Sequence, residues 1–349
     1  MASSSTTSSE LRTAFLSFFA GREHEICPSG PIVLANDPTL IFANAGMVQF
    51  KDLFLGREKR NYKRATSSQK CIRISGKHND LEAVGPSPRH HTFFEMLGNF
   101  SFGDYFKEEA IVFAWDFLTK ELGLPAERLI VTYFKGENGV PEDTFARDLW
   151  LKLTGFGPER VRGLGASDNF WQMGETGPCG PCSEIYFCNG PSVDLNAFGA
   201  EQTIEGFGWM EIWNLVFMQF ERSLVGGEYQ LASLPAPSID TGAGLERLAC
   251  VVQGKTSNYD TDMLRTLVDR ASELSGKRYG GTMAPDDVSM RVIADHARTT
   301  AFLIAEGLMP DRTGPEYVLR RVMRRAIRHG HRLGIEKPFL HEVALRVVD

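Results

Sequence analysis

Near Gly254 the hydrophobic period of this chain changes, and one kind of secondary structure cannot serve both halves. Before that point, residues 69–75, 92–102 and 208–220 are short runs rich in β-branched and aromatic side chains, separated by Gly, Pro, Asn and Asp, the pattern of strands and turns. After it, residues 259–274, 288–306 and 315–333 carry apolar side chains at spacings of three and four, the pattern of amphipathic helices. The expectation is an α+β unit over residues 1–254 followed by an all-helical unit over residues 255–349. The final amphipathic stretch (Leu340, Val343, Leu345, Val347, Val348) meets no stop signal before Asp349, which predicts a shortened chain whose last helix, or its packing partner, lacks material.

At 349 residues the chain is long enough for one large domain or two ordinary ones. No apolar run approaches the roughly 18 uncharged residues of a membrane-spanning helix, so a soluble protein without membrane contact is expected. Lys and Arg number 38 against 44 Asp and Glu, and this balance argues against indiscriminate binding along nucleic acid while allowing a local basic surface. Six cysteines (Cys27, Cys71, Cys179, Cys182, Cys188, Cys250) are too sparse for a disulfide scaffold, which predicts thiols and a reducing, cytoplasmic setting. Cys179-Gly180-Pro181-Cys182 matches half a zinc knuckle, but the next candidate is Cys188, with no nearby second pair and no His between it and His296; a tight Gly/Pro turn and no metal are expected. The Ser/Thr-rich residues 1–9 read as a frayed end. Thr7 and Glu10 suit a capping box for a helix carrying Leu11, Phe15, Phe18 and Phe19.

Four segments carry candidate chemistry. In residues 69–75, Ile72 and Ile74 fall on one face of a strand, with Cys71, Arg73 and Ser75 on the other. A polar loop, residues 76–90, follows, then the aromatic return Thr92-Phe93-Phe94-Glu95-Met96-Leu97. A rigidly held guanidinium, a tip bearing Lys77, His78, Arg89, His90 and His91, and an aromatic face together suit a nucleoside triphosphate; the alternative is an exposed hairpin with a solvated basic loop. Residues 237–252 read as a strand, a turn built on Gly242 and Gly244, and a helix capped near Gly254. Its first turn holds Glu246 and Arg247, and an Arg at the positive helix end calls for a compensating anion, phosphate or carboxylate. Residues 208–220 alternate Trp209, Glu211, Trp213, Leu215 and Phe217 with Met210, Ile212, Asn214, Val216 and Met218. Asn214 either satisfies a neighbouring backbone group or reads a ligand. Finally, Arg320, Arg324, Arg328 and Arg332 recur every four residues beside Arg321 and Arg325, opposite Leu319, Val322, Met323, Ala326 and Ile327. That stripe suits an RNA backbone or a solvated face paired with Glu.

Taken jointly, these segments resemble a known family. Arg73 followed by Arg89-His90-His91-Thr92-Phe93-Phe94 is similar to motif 2 of the class II aminoacyl-tRNA synthetases, and Gly242-Ala243-Gly244-Leu245-Glu246-Arg247 is similar to their motif 3, in the same order. Asn36-Asp37-Pro38-Thr39, Asn44-Ala45-Gly46-Met47, Gly76-Lys77-His78-Asn79-Asp80, the run from Phe93 to Phe106, Ser167-Asp168-Asn169-Phe170-Trp171 and Thr176-Gly177-Pro178-Cys179-Gly180-Pro181-Cys182 resemble the alanine-specific branch in particular, over nearly the whole chain. The resemblance implies a six-stranded antiparallel catalytic sheet flanked by helices, then a helical tRNA-recognition region. It implies activation of L-alanine by ATP with Mg²⁺, and transfer of the alanyl group to the 3′ end of tRNA(Ala), whose acceptor stem would meet Arg320, Arg321, Arg324, Arg325 and Arg328. By position, Arg73 would hold the α-phosphate and the amino-acid carboxylate, Phe94 would stack on adenine, and His91 and Arg247 would contact the outer phosphates. Gly242, Gly244, Trp171 and the backbone of Ile212, Trp213 and Asn214 would line the nucleotide. Asn214 and Asp240 would take the α-ammonium, and Trp171 and Val216 would close a methyl pocket.

Two departures from the family stand out. The family commonly has an Arg-Gly pair before Tyr-Val-Leu-Arg-Arg, where this chain reads Arg312-Thr313-Gly314-Pro315-Glu316 before Tyr317. No two of the eight His stand four apart, so the His-x-x-x-His of the family's editing region is missing and activation without editing is expected. A shortened relative that activates alanine or a similar small amino acid for a non-tRNA acceptor is the alternative. A non-catalytic binding module is disfavoured, because a dead pocket has no need of Arg73, Asp240 and Arg247 as unpaired buried charges. The oligomeric state is left open.

Overall fold

The computed structural model describes residues 6–34, 40–75, 78–200, 203 and 206–348. Asn36-Asp37-Pro38-Thr39, Gly76, Lys77, the side chains of Ser75 and His78, residues 1–5 and Asp349 lie outside the described residues. The strands are β1 (Glu25–Ile26), β2 (Arg64–Ile72), β3 (Ile74–Ser75), β4 (His78–Asn79), β5 (Phe93–Ser101), β6 (Leu129–Phe134), β7 (Val161–Leu164), β8 (Phe170–Gln172), β9 (Gly177–Cys188), β10 (Trp209–Val225) and β11 (Glu228–Gly244). The helices are α1 (Ser8–Ala20), α2 (Lys51–Phe54), α3 (Lys107–Asp116), α4 (Thr144–Thr154), α5 (Ala166–Asn169), α6 (Leu245–Val252), α7 (Asp262–Ser275), α8 (Pro285–Ala305), α9 (Gly314–Arg332) and α10 (Leu340–Leu345).

Nine of the strands form one sheet in the order β1-β2-β5-β11-β10-β9-β6-β7, with β8 paired to β9. Its centre, β2 to β6 in that order, is the expected antiparallel six. The sheet as a whole is mixed, because β1 and β7 add parallel edges. Helix α1 starts with the capping box expected at Thr7 and Glu10. Leu11, Phe15 and Phe19 are buried with Trp213 and Phe117 behind the sheet. The frayed end ends sooner than expected: Ser8 is buried and donates through its backbone N–H (2.8 Å) and hydroxyl (2.5 Å) to Asp262, which ties the chain start to α7.

Two glycine-rich turns expected from sequence are strands instead. Residues 177–188 run as β9, Cys179 and Cys182 included, because close strand approach rather than a turn sets the glycine: a Cβ on Gly180 would stand 2.0 Å from the Phe217 carbonyl oxygen, beside an irregularity in β10. Gly242 and Gly244 likewise remain in β11, paired with Asn214 and Met96, and a Cβ at Gly242 would meet the Met96 sulfur at 2.7 Å. The helix begins directly at Leu245. All six cysteines are buried thiols.

Helices α7, α8 and α10 share a core built on Tyr259, Leu264, Val268, Ile293, Ala297 and Val343. The far end of α8 and the start of α9 pack instead on the sheet: Leu303, Leu319 and Val322 join Ile72, Ile74 and Phe93, and Phe302 stacks on Phe93 at 4.1 Å. The helical region is therefore seated against the β2–β5 hairpin. No helix among the described residues is long and apolar enough to cross a membrane.

Candidate active site

A cavity of about 400 Å³ opens over β5, β11, β10 and β9 on the face opposite α1. Arg73, His91, Phe94, Trp171, Ile212, Asn214, Val216, Asp240, Gly242, Gly244 and Arg247 all line it. Of the residues singled out in the sequence, Trp213 alone among the nucleotide and amino-acid set is absent from the lining: its ring is fully buried on the other face, against Phe15, Phe19 and Phe117.

Arg73 sits at the break between β2 and β3. Its N–H donates to the Thr92 carbonyl (3.0 Å) and its Nε to the Asn44 carbonyl (3.1 Å), while its guanidinium carbon lies 5.1 Å from the Phe94 ring centre. Cation and aromatic ring are thus placed side by side by paired strands. The loop before Phe94 is not a solvated tip. Gly85 abuts Val288 and Val292 of α8, Asn258 donates to the Pro88 carbonyl (2.9 Å), and the Tyr259 hydroxyl donates to the His90 carbonyl (3.0 Å). This clamping carries Arg89 and His90 into the cavity wall. Burial, with Arg247 and Arg89 nearby, holds the His90 imidazole down at about 3. His91 lines the cavity, yet its nitrogens are turned to the helical region: Nε2 accepts from Asn258 Nδ2 (2.9 Å), and Nδ1 lies 3.4 Å from Asp295.

Alternation in β10 breaks at a register shift between Glu211 and Trp213. As a result Glu211, expected on the Trp213 face, lines the cavity, whereas Met210 joins Trp213 and Leu215 in the core behind the sheet. Arg247 Nη1 donates to the Glu211 carboxylate (2.8 Å) and carbonyl (2.9 Å). The compensating group expected near Arg247 is therefore Glu211 in this structure. Glu246 turns the other way, to Arg298 of α8 (2.5 Å) and the Glu95 N–H.

Below the break the register lines up two rows across the sheet: Glu184, Asn214 and Gly242 in one, Cys182, Val216 and Asp240 in the next. Asn214 Nδ2 donates to Glu184 (2.9 Å), and its Oδ1 is buried without a partner among the described residues. The Asp240 side chain is buried with no hydrogen bond to the described residues, and burial pushes its carboxyl up to about 7. Trp171 and Val216 pack in one apolar cluster beside these polar groups.

Glu184, Asp80 and Glu211 also line the site, though no motif or alternation in the sequence points to them as site residues, and Arg89, expected at a loop tip suited to a nucleoside triphosphate, stands in the wall. A carboxylate between Ser183 and Ile185 was the available signal for Glu184. On α9, Arg321, Arg324 and Arg328 are exposed and, with Arg332, line a groove opposite Leu81, Glu82 and Pro86. Arg325 departs from that stripe and bonds inward to His296 Nε2 (2.9 Å) and the Val84 carbonyl (3.3 Å). Ile327, expected on the apolar side, is 49% exposed in the same groove because a 19-residue helix packed on one flank only leaves its margin open.

The sequence signature of tRNA synthetases class II (A) matches residues 10–349, and the chain belongs to that family. It is 68% identical over 338 residues to an alanine–tRNA ligase of Sorangium cellulosum (strain So ce56), covering 97% of this chain and 37% of that protein. It is 58% identical over 350 residues to an alanine–tRNA ligase of Anaeromyxobacter sp. (strain Fw109-5), covering 98% and 38%. The chain thus spans little more than a third of the length of these curated relatives. A pyrrolysyl-tRNA synthetase structure from Desulfitobacterium hafniense aligns over 73% of this chain and 72% of that one, at 10% identity and a TM-score of 0.39.

Proposed function

We propose that the chain condenses L-alanine with ATP to alanyl-adenylate and passes the alanyl group to the 3′ end of tRNA(Ala), residues 1–254 carrying the chemistry and residues 255–349 meeting the acceptor stem, in the cytoplasm. The observation that carries this reading is Asp240: a buried carboxylate without a partner, in one cavity with Arg73 and Arg247. A group that burial holds near neutrality is ready to ionise when an ammonium arrives. Asn214 Oδ1, also unpartnered, offers that ammonium a second acceptor, and Trp171 and Val216 offer its methyl group an apolar wall.

In the first step a carboxylate oxygen of alanine attacks the α-phosphorus, and the bond to the leaving pyrophosphate breaks. No proton moves, so the protein's work is positioning and charge neutralisation. Arg73, with its terminal nitrogens free of hydrogen bonds to the described residues, forks onto the α-phosphate and the attacking carboxylate. Arg247 and Arg89 face the outer phosphates, Phe94 offers its ring to adenine, and Gly242 and Gly244 let the nucleotide approach the backbone of β11. His91, in this reading, shapes that wall from its bonds to Asn258 and Asp295. In the second step a ribose hydroxyl of the tRNA end attacks the alanyl carbonyl, its proton departs, and AMP leaves.

Among the described residues no cluster of three or more His, Cys, Asp or Glu side chains is arranged to hold a metal ion. Glu211, a cavity carboxylate beside Arg247, would be the protein residue to help hold Mg²⁺ brought with the nucleotide. When bound, the ion neutralises charge on the leaving pyrophosphate. Alanine-dependent exchange of labelled pyrophosphate into ATP tests the first step, and charging of tRNA(Ala) tests the second; no exchange with alanine would overturn the reading.

A further inference from the structure

We propose that Glu184 is a positioning residue that fixes the Asn214 amide with its oxygen toward the amino acid's ammonium; this rests on the amino-acid-activating reading above. Glu184 and Asn214 are direct cross-strand partners on β9 and β10. Glu184 Oε1 accepts from Asn214 Nδ2 (2.9 Å), and Oε2 accepts from the Tyr186 hydroxyl (2.6 Å). Both Glu184 oxygens accept in this arrangement, Oε1 from the amide and Oε2 from the Tyr186 hydroxyl, so the amide presents its NH2 group to β9. The opposite end of the planar amide, Oδ1, is thereby turned toward β11, the strand that carries Asp240. There the facing residue is Gly242, which brings no side chain that could satisfy it.

The polarity of this row matters because the amide's two ends are nearly equal in shape and opposite in character. With Oδ1 toward the substrate, Asn214 and Asp240 together present two acceptors to the three donors of an ammonium. A flipped amide would set NH2 against that cation. Glu184 is buried deeply beside Glu211 and Asp168, and burial and those neighbours push its carboxyl well above the usual range. Arg247 already answers Glu211, and an arriving ammonium brings further positive charge to this acidic group. Of the groups beside the Asn214 amide, the Cys182 thiol is a weak acceptor and the Glu184 carboxyl a strong one, so the orientation depends chiefly on Glu184, with Tyr186 bracing its second oxygen.

The test compares two non-hydrolysable adenylate analogues by titration calorimetry: the alanyl sulfamate of adenosine, and its propionyl counterpart, which lacks only the ammonium. Wild-type protein is expected to prefer the alanyl form. Glu184→Met keeps the volume but offers no acceptor, and should reduce that preference by at least about tenfold while propionyl affinity stays within about twofold. Glu184→Gln still accepts from Asn214 and should restore most of the preference. In pyrophosphate exchange the same loss should appear in KM for alanine and not for ATP. Equal weakening of both analogues, or an undiminished preference in Glu184→Met, would overturn the assignment. Should Glu184→Met fail to fold, Tyr186→Phe unbraces the carboxylate and should reduce the preference by about threefold; an unchanged preference there would overturn it too. A wild-type protein with no preference at all would instead overturn the functional reading.

Discussion

Arg247 pairs not with its chain neighbour Glu246 but with Glu211, across on β10, at 2.8 Å. Glu246, at the cavity's edge, reaches instead to Arg298 at 2.5 Å. One helical turn therefore divides its labour: Arg247 faces the cavity, and Glu246 locks β11 and α6 onto α8.

Substitution should separate the two roles. Glu246 and Arg298 expose 2% and 6% of their side chains, so Glu246→Ala leaves a buried guanidinium with only its longer contact to Glu95 (3.5 Å) and should destabilise the fold by about 3 kcal/mol in denaturant titration. Arg247 is partly hydrated, and Arg247→Ala should change stability by less than about 1 kcal/mol. Its pyrophosphate exchange should nevertheless fall by at least about a hundredfold, the scale of one lost transition-state donor. A large stability loss with near-normal exchange in Arg247→Ala would reverse the two assignments.

Arg73→Lys keeps the charge and loses the fork. If Arg73 bridges the α-phosphate and the attacking carboxylate, exchange should drop by at least about a hundredfold with stability little changed. Near-normal exchange in the lysine variant would show that charge alone suffices there.

Asp240 links function to pH. Its carboxyl stands at about 7 in the fold against an ordinary 3.8. An acid raised in this way keeps its proton longer in the folded than in the unfolded chain, so its contribution favours the fold below about pH 4 and is lost as pH rises from there to about 7. Three pH units correspond to about 4 kcal/mol. In the absence of substrate, Asp240→Asn should therefore be the more stable protein at pH 8, by up to about that amount, and indistinguishable from wild type near pH 4. The same variant should bind alanine far more weakly than ATP. Parallel melting curves across that pH range would remove Asp240 from the buried, unpartnered position given to it.

Much of this site was legible because its anchors are local. Arg73 alternates with Ile72 and Ile74, and Gly242 and Gly244 precede the Glu246-Arg247 pair, so each could be read within one short run. What escaped depends on register and on distant chain. Glu211 reaches the cavity only because β10 slips between Glu211 and Trp213, and no alternation rule foretells a slip. Glu184 matters only because it faces Asn214 across a strand pair. The bonds that turn His91 inward come from Asn258 and Asp295, well over a hundred residues along the chain, on the helical side of the period change. The two glycine-rich segments are strands rather than turns for a related reason: a glycine admitting a neighbouring strand or the Met96 sulfur has the same one-dimensional signature as a glycine that bends the chain.

The basic groove of α9 should act on RNA without touching adenylation. Arg324 and Arg328 are exposed, and replacing both with Gln should weaken tRNA binding and flatten the dependence of log affinity on log salt by about one to two units, leaving pyrophosphate exchange intact. Arg325, bonded to His296 and the Val84 carbonyl, should behave differently, with Arg325→Gln affecting stability as well as binding. An unchanged salt slope in the double variant would make the stripe a solvated face.

Fidelity follows from the shape of the methyl pocket. Trp171 and Val216 belong to one packed apolar cluster, so they can exclude large side chains by clash. Glycine escapes that test, because it fits and loses only a methyl group's worth of contact, about 1–3 kcal/mol. Serine escapes for another reason: an apolar wall rejects an added hydroxyl by only about a hundredfold, since nothing in the wall is left unpaired when the hydroxyl enters. In the proposed reading Asp240 and Asn214 take the ammonium, which all three amino acids share, and so add nothing to the discrimination. In pyrophosphate exchange, glycine and serine should therefore both be activated, each at about one-tenth to one-thousandth of the alanine kcat/KM, while valine and leucine remain undetectable. Enlarging the pocket by Val216→Ala should raise the serine rate relative to alanine. Rejection of serine by more than about ten-thousandfold would mean that a buried polar group in this wall goes unpaired against the hydroxyl, and that the pocket is not the apolar one described.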